Sequence, residues 1–181
     1  MFKLKRVLFT ILSLVVLAIA AVLLLAARQP DSFRVERSAS IAAPPDRIFP
    51  LINDLRQMNA WSPFVKRDPG IQGSYSGPVS GPGATYRFEG KEAGTGSLRI
   101  AGATAPTAVV MKLDMTAPMT GSNDILFRLV PDGQGTRVTW AMEGPSPFIT
   151  KVMDLLFSMD RMIGGAFEAG LADPKILAEK A

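Results

Sequence analysis

The stretch that decides the fold is PFITKVMDLLFSMDRMIGGAFEAGLADPKILAE, residues 147–179. Within it Val152, Leu155, Leu156, Met159, Ile163, Ala166, Phe167, Gly170 and Leu171 recur at helical spacing and form one apolar stripe. Asp154, Ser158, Arg161 and Glu168 fall on the other side. A long helix with one apolar face needs a broad apolar partner, because propensity alone rarely holds a helix in water. Pro174 predicts a kink or restart near the helix end.

The chain upstream supplies that partner. Phe33, Val35, Ala39 and Ile41 share one side of a first strand. A short strand around residues 72–76 follows later, and then five strands of clean alternation. Their dry sides carry Tyr86 and Phe88, Leu98 and Ile100, Met111 and Met115, Ile125 and Phe127, and Trp140 and Met142. Arg87, Glu89, Arg99 and Arg128 take the opposite phase. One wet face and one dry face is the pattern of an antiparallel sheet packed on one side. Asp132-Gly133 marks a hairpin turn. The expectation is an α+β domain in which a curved antiparallel sheet wraps around the C-terminal helix.

Between the first two strands, Pro45 and Asp46 open a helix whose buried side is Ile48, Phe49, Leu51, Ile52 and Leu55. Pro50 predicts that it is short or kinked. A second short helix follows over residues 55–60, and Asp68-Pro69-Gly70 is a turn. Residues 77–83 carry three glycines and two prolines without the Lys-Ser/Thr of a phosphate loop. Their composition predicts a flexible loop over the mouth of any cavity.

At the other end, residues 7–27 are free of charge and rich in Leu, Val, Ile and Ala. As a helix they span about 31 Å, enough for a bilayer core of about 30 Å. Lys3, Lys5 and Arg6 precede the run and Arg28 follows it. This charge bias places the N-terminus in the cytoplasm and the rest of the chain across the membrane. The competing reading is a cleaved signal peptide, for which Ala18-Ile19-Ala20 offers a small-x-small site; it lies inside the apolar run, which exceeds the usual signal length. The expected division is an anchor at 1–28, a linker at 29–32 and a folded domain at 33–181.

Composition removes several function classes. Cysteine and histidine are both absent among the 181 residues. That takes away thiolate nucleophiles, the commonest general base and the commonest metal ligands. Of 20 basic residues, the four beside the apolar run leave 16, against 16 acidic residues. The folded part is formally neutral, which argues against a nucleic-acid partner. No catalytic constellation, metal set or cofactor motif stands out.

With its order of elements established, the chain resembles the helix-grip fold of the START-like, polyketide cyclase/dehydrase and lipid transport (SRPBCC) superfamily. The resemblance is carried by Ser40 to Phe49 at the first strand-helix junction and by Trp61-Ser62-Pro63-Phe64. The runs Tyr75 to Gly90, Gly94-Thr95-Gly96 and Met159 to Gly164 look like one bacterial, membrane-anchored branch. Phe64 and Asp173-Pro174 depart from that pattern. The resemblance implies a deep apolar cavity between sheet and helix for a small hydrophobic or lipid-like ligand, on the far side of a bacterial inner membrane, periplasmic or extracellular. It names no protein partner.

The residues expected to line such a cavity are Trp61, Tyr86, Phe88, Met111, Phe127, Trp140, Phe157, Asp160 and Phe167. The same apolar set equally suits a filled core, which a domain of this size needs. Asp160 is either one polar anchor in apolar surroundings, with a raised pKa, or an N-cap where the helix restarts after Ser158, or the partner of a nearby basic residue. Tyr86 either donates a hydrogen bond to a ligand or simply packs its ring. Three readings therefore stand: a hydrophobic-ligand binder, a cyclase- or dehydrase-like enzyme using Tyr86 or Asp160 as acid or base, and a structural module with a solid interior.

Overall fold

In the computed structural model, which describes residues 2–180, the chain forms seven strands and six helices. Helix α1 (Phe2–Ala27) comes first and β1 (Ser32–Ile41) follows. Three short helices, α2 (Pro45–Asn53), α3 (Leu55–Trp61) and α4 (Pro63–Arg67), lead to β2 (Gln72–Ser76). A meander runs through β3 (Thr85–Gly90), β4 (Gly94–Thr104), β5 (Ala108–Ala117), β6 (Gly121–Asp132) and β7 (Gly135–Pro145). Helices α5 (Phe148–Phe157) and α6 (Met159–Lys180) complete the chain.

The sheet is antiparallel throughout, in the order β1-β7-β6-β5-β4-β3-β2. β1 joins at the far edge of β7, with Ser32 opposite Pro145 and Ile41 opposite Thr136. Register shifts between Thr95 and Gly96 and between Ile100 and Gly102 bend β4. The helix-grip architecture expected from the alternation is thus present, and every strand expected from period two is a strand.

Pro50 lies inside α2 and faces solvent, three residues before the helix ends. Having no N–H, it cannot close a turn back to Asp46. The chain restarts at once in α3, where the Asp54 carboxylate accepts from the Arg56 N–H at 2.8 Å. The third short helix, α4, was not anticipated; Pro63 occupies its first position.

The single long helix expected over residues 147–179 is two helices. Ser158 adopts a left-handed conformation (φ 47°) and ends α5. The Asp154 carboxylate then accepts the Met159 N–H at 2.6 Å, capping α6. The apolar stripe is divided at this joint. Ala166, Phe167 and Leu171 of α6 are buried in the core, whereas Leu155 and Leu156 of α5 are exposed. α6 continues as one helix across Pro174 to Lys180, without the restart expected there.

α6 lies mainly along β1, also touching β7 and α2 to α4. Gly164 allows this seat: a Cβ there would sit against the Arg37 guanidinium. Gly170 does the same further along, since a Cβ would lie 2.8 Å from the Trp140 ring and 3.0 Å from Pro63. Around these contacts Ile41, Ile48, Ile52, Leu55, Leu129 and Leu171 are almost wholly buried. Replacing Leu171 with Ala should therefore lower the unfolding free energy by about 2–5 kcal/mol, measured by urea denaturation. A loss well under that would mean α6 is not seated in the core as described.

Candidate functional site

The site is an apolar cavity of about 230 Å³ between the inner face of β3 to β7 and helices α3, α4 and α6. It lies where α6, seated mainly on β1, and α2, on β5 and β6, leave part of the sheet's inner face unfilled. Tyr86, Phe88, Leu98, Met115, Ile125 and Met142 contribute from the strands. Met58, Phe64, Ile163 and Phe167 close it from the helices. Small-molecule pockets run from roughly 300 to 1,000 Å³. The enclosed space therefore suits a compact ligand or one end of a longer one.

Trp140 forms the floor on the α6 side. Its ring stacks on Phe167 with centroids 4.1 Å apart and 12° between planes. Trp61 meets it edge-on at 5.8 Å and Phe64 at 6.3 Å. The Trp61 Nε1–H donates to the Leu51 carbonyl at 2.8 Å. The Trp140 Nε1–H is buried with no hydrogen-bond partner. An unpaired buried donor is costly, and such groups are uncommon in native structures.

The other polar groups of the lining are Asn59, Ser62 and the Tyr86 hydroxyl. Asn59 Nδ2 donates to the Tyr75 hydroxyl at 2.9 Å. Tyr75 in turn lies against Tyr86, centroids 4.8 Å apart, with the Arg56 guanidinium 4.1 Å from its ring centre. Burial, with a smaller contribution from Tyr75, pushes the Tyr86 hydroxyl above its ordinary value. Tyr86 is thus a neutral donor across the physiological range. Among the described residues no Asp, Glu, Lys or Arg belongs to the lining.

The nine expected lining residues separate into three groups. Tyr86, Phe88, Trp140 and Phe167 line the cavity. Trp61, Met111 and Phe127 are buried in the packed core behind it, so for them the filled-core reading fits. Phe157 and Asp160 stand outside. Phe157 is exposed at the end of α5, beyond the Ser158 break. Asp160 is exposed and paired with Arg37 at 2.9 Å. That pairing holds the carboxyl below the usual range, the reverse of the shift an apolar pocket would cause.

Arg37 was missed, although its phase in β1 between Val35 and Ala39 signals it. The side chain lies on the inner face, donates from Nη to Asp160 and from Nε to Glu168 at 2.7 Å, and so bridges two turns of α6. Its guanidinium is held above its ordinary value by these carboxylates. Asp68 is a second unforeseen fixture. Buried at the end of α4, it accepts the Glu92 and Ala93 N–H groups at 2.7 and 3.1 Å. These bonds hold its pKa below the usual carboxylate value.

The mouth of the cavity opens between α4, the β3–β4 turn and the start of α6. An open vestibule lined by Phe64, Glu92, Ala93, Arg161, Met162 and Ile163 adjoins it, sharing Phe64, Ala93 and Ile163 with the cavity lining. The glycine-rich loop expected over the mouth sits elsewhere. Its Gly81 N–H donates to the Asn53 carbonyl and its Gly83 N–H to that of Ile100, fixing it beside α2 and β4. A hollow of about 550 Å³ on the wet side of β2 to β5 is open and polar, with Arg87, Glu89 and Asp114 at its rim. Its sides do not converge on a point where a ligand would be enclosed. Among the described residues no cluster of acidic side chains could hold a metal ion.

An apolar cavity between a curved antiparallel sheet and a C-terminal helix defines a helix-grip protein. The family profile described as polyketide cyclase/dehydrase and lipid transport matches residues 32–179, and the chain belongs to that family. Among solved structures it resembles protein CV1439 of Chromobacterium violaceum (16% identity, 83% of this chain and 99% of that one, TM-score 0.57). Protein Ms6760 of Mycobacterium smegmatis is similar at 19% identity, over 82% and 92% of the two chains, with TM-score 0.54. The di-domain ARO/CYC StfQ from the steffimycin biosynthetic pathway matches at 14% identity and TM-score 0.63, over 82% of this chain and 51% of its own. At these identities the likeness is one of fold. A search of curated proteins finds no match.

The three depressed carboxylates, Asp31, Asp68 and Asp160, give a pH signature. A carboxylate whose folded-state pKa is lowered stabilises the fold above the ordinary range, near pH 4, and the contribution is lost as pH falls through the folded-state value. The urea midpoint should fall on acidification below about pH 4. Asp68→Asn should lower the midpoint at pH 7 and flatten that acid limb. An unchanged limb would mean Asp68 does not hold the mouth through its charge.

Proposed function

We propose that this chain is a membrane-anchored binding protein for a small, neutral, mostly apolar ligand. The observation that carries the reading is an enclosed space of about 230 Å³ whose lining is almost wholly apolar. Neutrality follows from the lining: with no charged side chain present, an ionised ligand would be buried unpaired at high cost. Met58, Met115 and Met142 make the wall adaptable.

The anchor is α1. Lys5–Ala27 is a 23-residue apolar helix whose side chains stand clear of the rest of the protein except at its last turn, where Ala26 is buried. The basic residues before it support an N-terminus in the cytoplasm and a domain on the periplasmic or extracellular side of a bacterial inner membrane. Residues 1–28 then form the anchor, 29–32 the linker and 33–181 the domain.

The enzyme reading retains one member of its proposed pair. Tyr86 lines the cavity as a protonated hydroxyl, able to donate but poorly suited to act as a base. Asp160 is ionised and outside.

Two measurements test the binding reading. Native mass spectrometry of the full chain extracted from membranes should show a neutral adduct of low mass, reduced at least tenfold in occupancy in Leu113→Trp, which fills the space. Tyr86→Phe, Asp160→Asn should keep the adduct. Absence of any adduct in the wild-type chain, or its survival in a folded Leu113→Trp, would overturn the binding reading. An adduct that accumulates only in the double variant would instead favour turnover of a substrate.

A further inference from the structure

α5 is turned inside out relative to a core helix. Its polar residues Thr150, Lys151 and Asp154 fall within one arc by the 100° helical step, and that arc faces the protein. Lys151 is buried, with Nζ donating to the Gln29 carbonyl at 2.9 Å and to the Asp31 carboxylate at 2.6 Å. Asp154 is occupied by the Met159 N–H. The remaining arc is apolar and open: Phe148, Ile149, Leu156 and Phe157 are each 50–59% exposed, and Met153 and Leu155 nearly as much. A soluble surface does not ordinarily leave so contiguous an apolar patch uncovered.

The position of α5 says what covers it. The helix packs on α1, against the last turn, where Ala26 is fully buried. Its lysine is tied to the residues by which the chain leaves that helix. An apolar arc beside a membrane exit, with its charges turned away, has the form of a helix lying in the plane of the bilayer interface. We infer that α5 is a second membrane-contacting element whose Phe148, Ile149, Leu156 and Phe157 side chains enter the lipid boundary next to α1. The inference rests on the reading of α1 as a retained anchor. It also gives the cavity an orientation. Met162, just past the Ser158 joint, is exposed and lines the vestibule, so the apolar surface continues from α5 to the mouth. The bilayer is thereby the source and the sink of the ligand.

The chain has no cysteine, which permits single-site labelling. The full chain would be reconstituted into vesicles of phosphatidylcholine and phosphatidylglycerol, carrying one environment-sensitive fluorophore per protein. Sites are Ile149→Cys and Leu156→Cys on α5, Leu14→Cys within α1 and Arg128→Cys on the wet face of the sheet. Quenching is read with lipid-attached and with water-soluble quenchers. The expected result is strong lipid-phase quenching at 14, 149 and 156, and several-fold weaker aqueous quenching there than at 128. Lipid-phase quenching at 14 with aqueous quenching at 149 and 156 would overturn the α5 proposal and leave the anchor standing. Shielding of 149 and 156 from both quenchers would assign the face to protein and overturn it equally. Aqueous quenching at 14 would remove the anchor, and the proposal with it.

Discussion

The seating of α6 against the sheet is the contact on which the remaining features depend. Phe167 lies flat on Trp140, Gly170 lets the helix backbone come down beside that ring, and Leu171 fills the space next to it. Such a seat could in principle sit anywhere across seven strands. The Arg37 guanidinium on the inner face of β1 meets Asp160 and Glu168 there, a solvent-exposed pairing that marks the edge on which the helix sits rather than fixing it. With the helix drawn to β1, α6 packs on β1 and β7 rather than on β3 to β5, while α2 comes down on β5 and β6. The hollow lies in the part these helices leave unfilled, roofed by α3, α4 and the flank of α6.

The cavity's chemistry follows from the same placement. The strands that face it contribute side chains chosen by period two to be apolar, so the only polar atoms are those carried on aromatic rings or on the short helices. Trp61 and Trp140 show the contrast. Both are buried and they touch edge to face, yet one indole N–H meets a main-chain carbonyl and the other meets nothing. Asp68 and the Glu92 and Ala93 amides hold the rim in place without adding charge to the interior.

Much of this was legible in the residues. Alternation such as Val109, Met111 and Leu113 against Lys112 and Asp114 identifies a half-buried strand, and β5 is one. The family resemblance rested on an ordered set of short motifs, and the matched region begins with β1. The lining was legible only in part. Met111 and Tyr86 share the inward phase, and nothing local distinguishes a side chain that meets another helix from one that meets a void. The break at Ser158 was signalled only by the reading of Asp160 as a cap of a restart there, since the joint carries neither glycine nor proline and the i, i+3, i+4 pattern runs through it. The signal left unread lay in the width of the apolar arc. In residues 148–157 it exceeds half a turn, too broad for a helix with one partner. Arg37 was legible too, as a charge set among the inward residues of its own strand.

The short passage between α1 and β1 has one more effect. Gln29 and Asp31 are both held by Lys151, and the Ser146 N–H donates to the Asp31 carbonyl. Residues that would otherwise act as a swivel are thus splinted to the body they connect. A loosely tethered domain explores a volume set by the length of its leash. This link is instead tied to α5 and to the residue that follows β7, so α1 and the sheet are held at one short separation.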